Sequence, residues 1–373
     1  MKVLTIVGTR PELIKLSQVI KKLDKSTHHV LAHTGQNHDF ELNEVFFKDL
    51  SIRKPNYFLN CAKNNFAYTI ANIIKKTYDL IKEIKPDAIL IYGDTNSCLS
   101  VIAAKRMKIP VFHMEAGNRC FDERVPEELN RKIVDHLSDI NMPISDHAKK
   151  YLENEGISPN TIIKVGSSMY EVLKVQEKEI NKSKILNELK LVKSKYFVVS
   201  LHREENVDTF EKLKSIVSIL NSVVVEYDFS IVFSIHPRTK KRLKEFDLLG
   251  EMNSKIIKMK PLGFNDYIKL QKDAACTISD SGTISEESSI LKFPAITIRE
   301  SHERPEAMDE GTVIMSGLNC DNVLKSIKIA MEDTNFDITK DYKVENLSSK
   351  IIKIILSYTH YVNNFIWKKN QKY

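Results

Sequence analysis

Short runs rich in Val and Ile alternate along this chain with longer segments whose apolar residues recur at helical spacing. Strands that are apolar throughout are buried on both faces, and their alternation with helices is typical of a parallel sheet covered on both sides. The pattern therefore predicts an α/β fold of the doubly wound type. The predicted strands are 3–7, 29–33, 88–92, 111–113, 140–144 and 162–165, then 197–201, 231–235, 256–259, 276–279, 295–298 and 313–315.

The strands form two comparable sets, and 373 residues are too many for one comfortable core. We therefore predict two Rossmann-like domains, 1–168 and 169–349, with a final helix in 350–373 that packs back on the first domain. Open α/β sheets bind ligands outside the carboxyl ends of their strands. The predicted ligand site is accordingly a cleft between the two domains.

Composition narrows the class of partner. The hydrophobic content of 42% and charged content of 28% are those of a globular protein, and no apolar run approaches membrane-spanning length. The net charge is +7, but no nucleic-acid reader motif is present, so the charge favours an anionic small substrate over nucleic acid. Five cysteines without a CxxC pair predict neither a disulfide framework nor a zinc site and favour the reducing cytoplasm.

One segment has the layout of a diphosphate-binding site. A strand stops at Asp280, and small residues then open a helix whose first turn contains Glu286 and Glu287. Backbone N–H groups and hydroxyls at the positive end of a helix bind anions. The groups that could do so are Ser281, Gly282 and Thr283. An ordinary Ser/Thr-capped helix with acidic residues in its first turn explains this segment equally well.

Two cations lie near the start of the first predicted helix. Arg10 and Lys15 follow the first strand, and Pro11 suits the first helical turn. Cations there oppose the helix dipole, which favours an anionic partner, although Lys15 could instead extend to solvent. The sequence contains neither GxGxxG nor a Walker motif, so it does not indicate a nicotinamide, flavin or P-loop nucleotide site.

Carboxylates follow two neighbouring strands at the same edge of the first sheet. These are Asp94 and Glu115, and Glu127 comes next, in a helix that Pro126 starts. Asp94 could simply cap a helix, Glu115 could pair with Arg119, and an acidic residue in a first turn is common. Together, at a sugar-diphosphate cleft, the three are acid–base candidates whose pKa values could be separated by repulsion and burial.

The second half places further polar residues after its strands. His202 and His236 each follow a strand, and the polar segment 299–306 follows another. A lone histidine is usually structural, and a solvated loop would explain 299–306. Within the same cleft, however, Arg304 is a candidate for binding the substrate phosphate and Glu306 for binding ribose hydroxyls.

A series of short motifs resembles the non-hydrolysing UDP-N-acetylglucosamine 2-epimerase family, in family order and over nearly the whole chain. The motifs are GTRPE at 8–12, HTGQ at 33–36, GDT at 93–95, EAG at 115–117, PEExNR at 126–131, HR at 202–203, DSGxxxEE at 280–287 and ERPEA at 303–307. The resemblance implies a GT-B fold, a homodimer, and no metal or redox cofactor.

The resemblance also implies residue roles. Catalytic or substrate-contacting positions fall on Arg10, Lys15, Asp94, Glu115, Glu127 and His202, UDP-binding positions on Ser281, Glu287 and Arg304, and an allosteric site on Gln36 and Arg203. The implied reaction inverts C2 of a UDP-N-acetylhexosamine. UDP leaves as C2–H is lost, a 2-acetamidoglucal forms, and UDP adds back as the proton returns on the opposite face.

Two segments depart from common family members. The stretches 41–47 and 118–126 resemble the capsule and O-antigen branch, which makes UDP-N-acetyl-L-fucosamine from its talo isomer. That conversion and the interconversion of UDP-N-acetylglucosamine and UDP-N-acetylmannosamine both remain open, each in surface-polysaccharide biosynthesis. A GT-B glycosyltransferase, a hydrolysing epimerase and an inactive UDP-sugar-binding regulator are the alternatives.

Overall fold

The computed structural model describes residues 1–36 and 46–369. Most of the segment 41–47 lies outside the described residues. The backbone clusters into two compact units, one of Met1–Lys174 with Lys343–Tyr373 and one of Val175–Tyr342. These divisions lie a few residues from the sequence-based boundaries after 168 and 349.

The first unit is built on one parallel sheet. Its strands are β1 Lys2–Val7, β2 His28–His33, β3 Tyr57–Phe58, β4 Ala88–Tyr92, β5 Val111–Met114 and β6 Ile140–Met142. They lie in the order β3-β2-β1-β4-β5-β6, and every residue of β4, β5 and β6 is buried. Its helices are α1 Arg10–Ser26, α2 Phe66–Ile84, α3 Val101–Arg106, α4 Pro126–Leu137 and α5 Asp146–Asn154, and the chain leaves the unit within α6 Met169–Lys182.

The second unit repeats this plan. Its strands are β7 Tyr196–Ser200, β8 Ser230–Ser234, β9 Ile256–Met259, β10 Cys276–Ser279, β11 Ala295–Thr297 and β12 Ile314–Met315, in the order β12-β11-β10-β7-β8-β9. Its helices are α7 Ile185–Glu188, α8 Glu204–Val207, α9 Phe210–Tyr227, α10 Pro237–Glu245, α11 Phe264–Asp273, α12 Ile284–Leu291, α13 Pro305–Asp309 and α14 Cys320–Glu332. Both sheets have the Rossmann strand order, which confirms the predicted α/β class with two Rossmann-like domains.

The first helix shows how the sequence dictates these elements. Pro occupies the first turn of α1, where its missing N–H costs nothing. Apolar residues at helical spacing, Leu13, Leu16, Ile20 and Leu23, are fully buried. The final helix, α15 Leu347–Tyr361, packs against α1. In the described parts of the chain, no helix combines the length and apolarity needed to cross a membrane.

Two strand predictions were wrong. Residues 162–165 form only one isolated bridge, between Asn141 and Ile162, because Pro143, directly after β6, accepts a bond from Val165 N at 3.0 Å but has no N–H to continue the ladder. Strand β3 was not predicted, since it has two residues and its side chains are only partly buried.

Candidate active site

Glu115, directly after β5, lies in a compact charged cluster of the first unit. Lys15 Nζ donates to Glu115 Oε2 at 2.8 Å, and the Tyr92 hydroxyl donates to the same oxygen. Glu115 adopts the left-handed conformation with φ 64°, which costs a non-glycine residue about 1–3 kcal/mol. Lys15 is buried, so the alternative that it extends to solvent is wrong. The two donors stabilise the negative charge of Glu115.

Asp94, directly after β4, is held by an arginine of α4. Arg131 donates to Asp94 Oδ2 from Nε at 2.8 Å and lies 2.7 Å away through NH2, while its NH1 donates to Glu128 Oε2 at 2.7 Å. Asp94 does not cap the next helix, a short 3-10 helix over Asn96–Ser100, because the capping side chain is Thr95, which accepts from Ser97 N. The alternative role for Asp94 is therefore excluded.

The alternative partner for Glu115 is also excluded. The buried Arg119 guanidinium pairs with Asp135 at 2.8 Å and with Glu155 at 2.6 Å. Glu127 lies half-buried in the first turn of α4, as predicted from Pro126.

Glu12 is a fourth candidate carboxylate in this unit, beside Asp94, Glu115 and Glu127, and it was not predicted from the sequence. Its Oε2 accepts from Gly8 N at 2.5 Å and its Oε1 from Thr95 Oγ1 at 2.5 Å, which ties the turn after β1 to the loop after β4. Burial raises the pKa of Glu12 to about 7, against the effect of these hydrogen bonds. In sequence it resembles any acidic residue of a first helical turn, so no signal marked it.

Cys98 shows that three carboxylates share this edge of the sheet. Burial raises the pKa of its thiol well above the ordinary value, and the negative charges of Glu12, Asp94 and Glu115 raise it further. The structure thus brings together the two carboxylates predicted from neighbouring strand ends and adds one more.

Glu12→Gln should remove the part of the folding stability of wild type that is lost as the pH rises. Folding raises the Glu12 pKa from 4.5 to about 7, so its contribution is fully present below pH 4.5 and is lost as pH rises through about 7. The full difference is roughly 3 kcal/mol. Urea unfolding at pH 5 and pH 8 should show that the variant gains stability relative to wild type at the higher pH. An equal difference at both pH values, or the same trend in the exposed control Glu179→Gln, would contradict this.

In the second unit, Asp280 organises the loop after β7. Its carboxylate accepts from the backbone N–H of His202 at 3.0 Å, from that of Arg203 at 3.0 Å, and from Asn206 Nδ2 at 3.2 Å. Burial alone would raise the pKa of Asp280, but the charge of the His202 ring and these hydrogen bonds outweigh it and lower the pKa. Asp280 is therefore the residue that positions the His202–Arg203 pair.

The predicted anion-binding turn lies beside this loop. Thr283 caps α12 without a side-chain bond to its backbone, and its hydroxyl instead lies 3.0 Å from Ser281 Oγ. Ser281 Oγ also accepts from Thr283 N at 3.4 Å, so the side-chain capping of an ordinary Ser/Thr start is present as well. A Cβ on Gly282 would lie 2.5 Å from Glu303 Oε1, so a larger residue here would require the Glu303 carboxylate to shift.

The segment 299–306 is not a solvated loop, because most of its charged side chains are buried. Glu303 accepts from Arg299 NH1 at 2.7 Å and from Arg203 NH2 at 3.0 Å, and it is buried. Arg304 is 2% exposed and lies 3.5 Å from Glu286. Charged side chains are seldom buried without a specific reason, which strengthens the binding interpretation.

Three more predicted residues lie in the second unit. Glu287 is buried and accepts from Gln271, Glu306 is buried and accepts from the Tyr342 hydroxyl, and His236 caps α10 with its ring 5.6 Å from that of His202. In the first unit, the Arg10 guanidinium lies 5.6 Å from the centre of the Phe46 ring, and Gln36 accepts from Ser97. Gln36 belongs to the first unit and Arg203 to the second.

Residues 21–356 match the family described as UDP-N-acetylglucosamine 2-epimerase. The chain belongs to this family. A UDP-N-acetylglucosamine 2-epimerase of Methanocaldococcus jannaschii is 38% identical over 340 residues, which are 89% of this chain and 92% of the relative. As a member of this epimerase family, the protein is an enzyme of the isomerase class.

Solved structures of the family are also similar. The UDP-N-acetylglucosamine 2-epimerase of Rickettsia bellii has a TM-score of 0.92 and 51% identity, over 98% of this chain and 99% of that one. The Methanocaldococcus jannaschii enzyme in complex with UDP-GlcNAc and UDP has a TM-score of 0.91 and 36% identity, over 96% of this chain and 100% of that one.

Proposed function

We propose that the protein epimerises C2 of a UDP-N-acetylhexosamine without hydrolysis and interconverts UDP-N-acetylglucosamine and UDP-N-acetylmannosamine. The observation that carries the proposal is the cluster at the carboxyl edge of the first sheet, where Lys15 and Tyr92 hold Glu115 and Arg131 holds Asp94. The substrates named for the similar enzymes support the choice of sugar.

The chemistry explains why several carboxylates are needed. The C2–H bond has little acidity, so its proton is lost as the C1–O bond to UDP breaks, and a C1=C2 double bond forms. UDP then adds back to C1 while a proton reaches C2 from the opposite face. Each acid–base group contributes about 10²–10⁴-fold to such a reaction. The proposed groups are Asp94, Glu115 and Glu127, and a group that accepts a proton in one direction donates it in the other.

The second unit supplies the proposed diphosphate groups. The turn at Ser281, Gly282 and Thr283 opens α12, and a helix start stabilises the charge of a departing phosphate. Arg304 and His202 add positive or donating groups in the same unit, and Arg10 is the candidate from the first unit.

Incubation with UDP-N-acetylglucosamine in D₂O, followed by NMR, tests this proposal. We expect deuterium at C2 of recovered sugar, the manno epimer, and an intact bond to UDP, all without an acceptor. A glycosyltransferase would incorporate no deuterium, and a hydrolysing epimerase would release free N-acetylmannosamine and UDP. Either result would refute the proposal.

A second candidate substrate is UDP-N-acetyl-L-talosamine, because the segment 118–126 resembles the branch that acts on it, and this segment is fixed by hydrogen bonds. Glu128 accepts from Cys120 N and Phe121 N, both at 3.1 Å, and Phe121 has φ 55° with its ring 71% exposed. Parallel incubation with the talo substrate measures the preference, since the better substrate has the higher kcat/KM.

The proposal also includes a cytoplasmic homodimer that acts in surface-polysaccharide biosynthesis. All five cysteines are free thiols, which fits a reducing compartment. Sedimentation velocity tests the dimer, and loss of surface polysaccharide on gene deletion tests the role.

A further inference from the structure

A buried hydrogen-bonded network connects the loops that carry Asp94 and Glu115. Its centre is His113 on β5, which is 1% exposed. Its Nε2 lies 2.8 Å from the carbonyl oxygen of Gly93, the residue before Asp94, and its Nδ1 lies 2.9 Å from Asp135 Oδ1. One imidazole therefore joins the end of β4 to α4.

Both partners of the His113 ring are acceptors. A backbone carbonyl oxygen can only accept, and the Asp135 carboxylate already accepts from Gly117 N at 3.1 Å and from Arg119 NH1 at 2.8 Å. Burial alone would raise the pKa of Asp135, but the bonds and charges of His113 and Arg119 outweigh it and lower the pKa. Because a carbonyl oxygen can only accept, the bond to Gly93 places a hydrogen on His113 Nε2.

Asp135 fixes the other loop through Gly117, two residues after Glu115. Gly117 has φ +80°, and an added Cβ would lie 2.4 Å from the carbonyl oxygen of Ala148. The backbone is thus pressed against α5, and Glu115 is held in its left-handed conformation. Such strain persists only where the surroundings determine the conformation fully.

Arg119 makes the ion pairs of the network. It donates to Glu155 from Nε at 2.8 Å and from NH2 at 2.6 Å, and to Asp135 from NH1 at 2.8 Å, so one buried guanidinium faces two carboxylates. Replacing buried ion pairs by apolar residues is often neutral or stabilising. Stability alone is therefore a weak reason for this network, whereas fixed geometry at two adjacent loops is a specific one.

We propose that His113 is a positioning residue for epimerisation, which sets the spacing of Asp94 and Glu115 through the Gly93 carbonyl and Asp135. This inference rests on the proposed function, since it refers to those two carboxylates. A displacement of about 1 Å in a reacting group costs roughly 10²-fold in rate. Loss of the bond to Gly93 should therefore affect turnover more than substrate binding.

Two variants separate this role from simple stability. The amide nitrogen of His113→Gln lies near the position of Nε2 and can still reach the Gly93 carbonyl, whereas that of His113→Asn lies near Nδ1 and reaches only Asp135. We expect His113→Asn to lower kcat by about 10²-fold with KM little changed, and His113→Gln to retain kcat within about tenfold. Equal losses of kcat in both variants, or a kcat for His113→Asn within twofold of wild type, would overturn the proposal.

A second measurement does not depend on turnover. In protein with ¹⁵N-labelled histidine, the His113 signals, assigned by their absence from His113→Gln, should show a hydrogen on Nε2, the nitrogen that faces the Gly93 carbonyl. A bare Nε2 would overturn the bond to Gly93, and with it the proposal, even in a fully active enzyme. The proposed function fails separately, if wild type incorporates no deuterium from D₂O into any UDP-N-acetylhexosamine.

Discussion

Glu115→Gln should lower the turnover number for epimerisation by about 10²–10⁴-fold, since an amide cannot exchange a proton with C2. The substitution keeps the size of the side chain and an oxygen that can accept from Lys15 and Tyr92. It removes the negative charge that both donors stabilise, of which Lys15 Nζ lies 2.8 Å from Glu115 Oε2. UDP affinity should change little, because Glu115 is not among the proposed diphosphate groups, which are the 281–283 turn, His202 and Arg304 of the second unit and Arg10 of the first.

Asp94→Asn should have an effect of the same order, because the Asp94 carboxylate has a comparable cationic partner in Arg131. The measurements are initial rates of deuterium incorporation at C2 and calorimetric titration with UDP. Glu153→Gln, a partly exposed carboxylate of the same unit, is the matched control and should retain wild-type rates. Near-normal turnover in both Asp94→Asn and Glu115→Gln would remove these carboxylates from the mechanism.

The position of this cluster could be predicted from sequence, but its pairing could not. Buried strands that end at Tyr92 and Met114 lie side by side, so Asp94 and Glu115 had to emerge at one edge. Hydrogen-bond partners depend on which side chains lie close together in the folded structure, not on their separation along the chain. Glu115 bonds Lys15, which is 100 residues away, although Arg119 is four residues away and was the obvious local partner.

The features that the sequence left unpredicted or ambiguous differ in how strong their signal was. His113 interrupts an otherwise apolar strand that is buried throughout, and a buried polar side chain requires a partner, so it carried a readable signal. The polar segment 299–306 carried an ambiguous one, because charge density alone does not separate a buried network from a solvated loop. The hydrogen bonds by which Asp280 holds the loop after β7 could be predicted only by knowing that this loop lies beside the end of β10.

Asp280→Ala should destabilise the second unit by about 2–5 kcal/mol, because each buried donor left unsatisfied costs about 1–3 kcal/mol. The donors concerned are the backbone N–H groups of His202 and Arg203 and the side chain of Asn206. Asp280→Asn should lose less, since its amide oxygen still accepts. Because folding lowers the Asp280 pKa, its contribution is present above pH 3.8 and is lost as pH falls below that value.

Hydrogen exchange measured by mass spectrometry locates this effect. Peptides that cover 196–207 should exchange faster in Asp280→Ala than in wild type at neutral pH, and the difference should shrink as the pH falls through the range in which Asp280 becomes protonated. Asp321→Ala, an exposed acidic residue in the first turn of α14, should cost no more than about 1 kcal/mol. Unchanged exchange in 196–207 would show that the loop holds its shape without the carboxylate, and Asp280 would then have no positioning role.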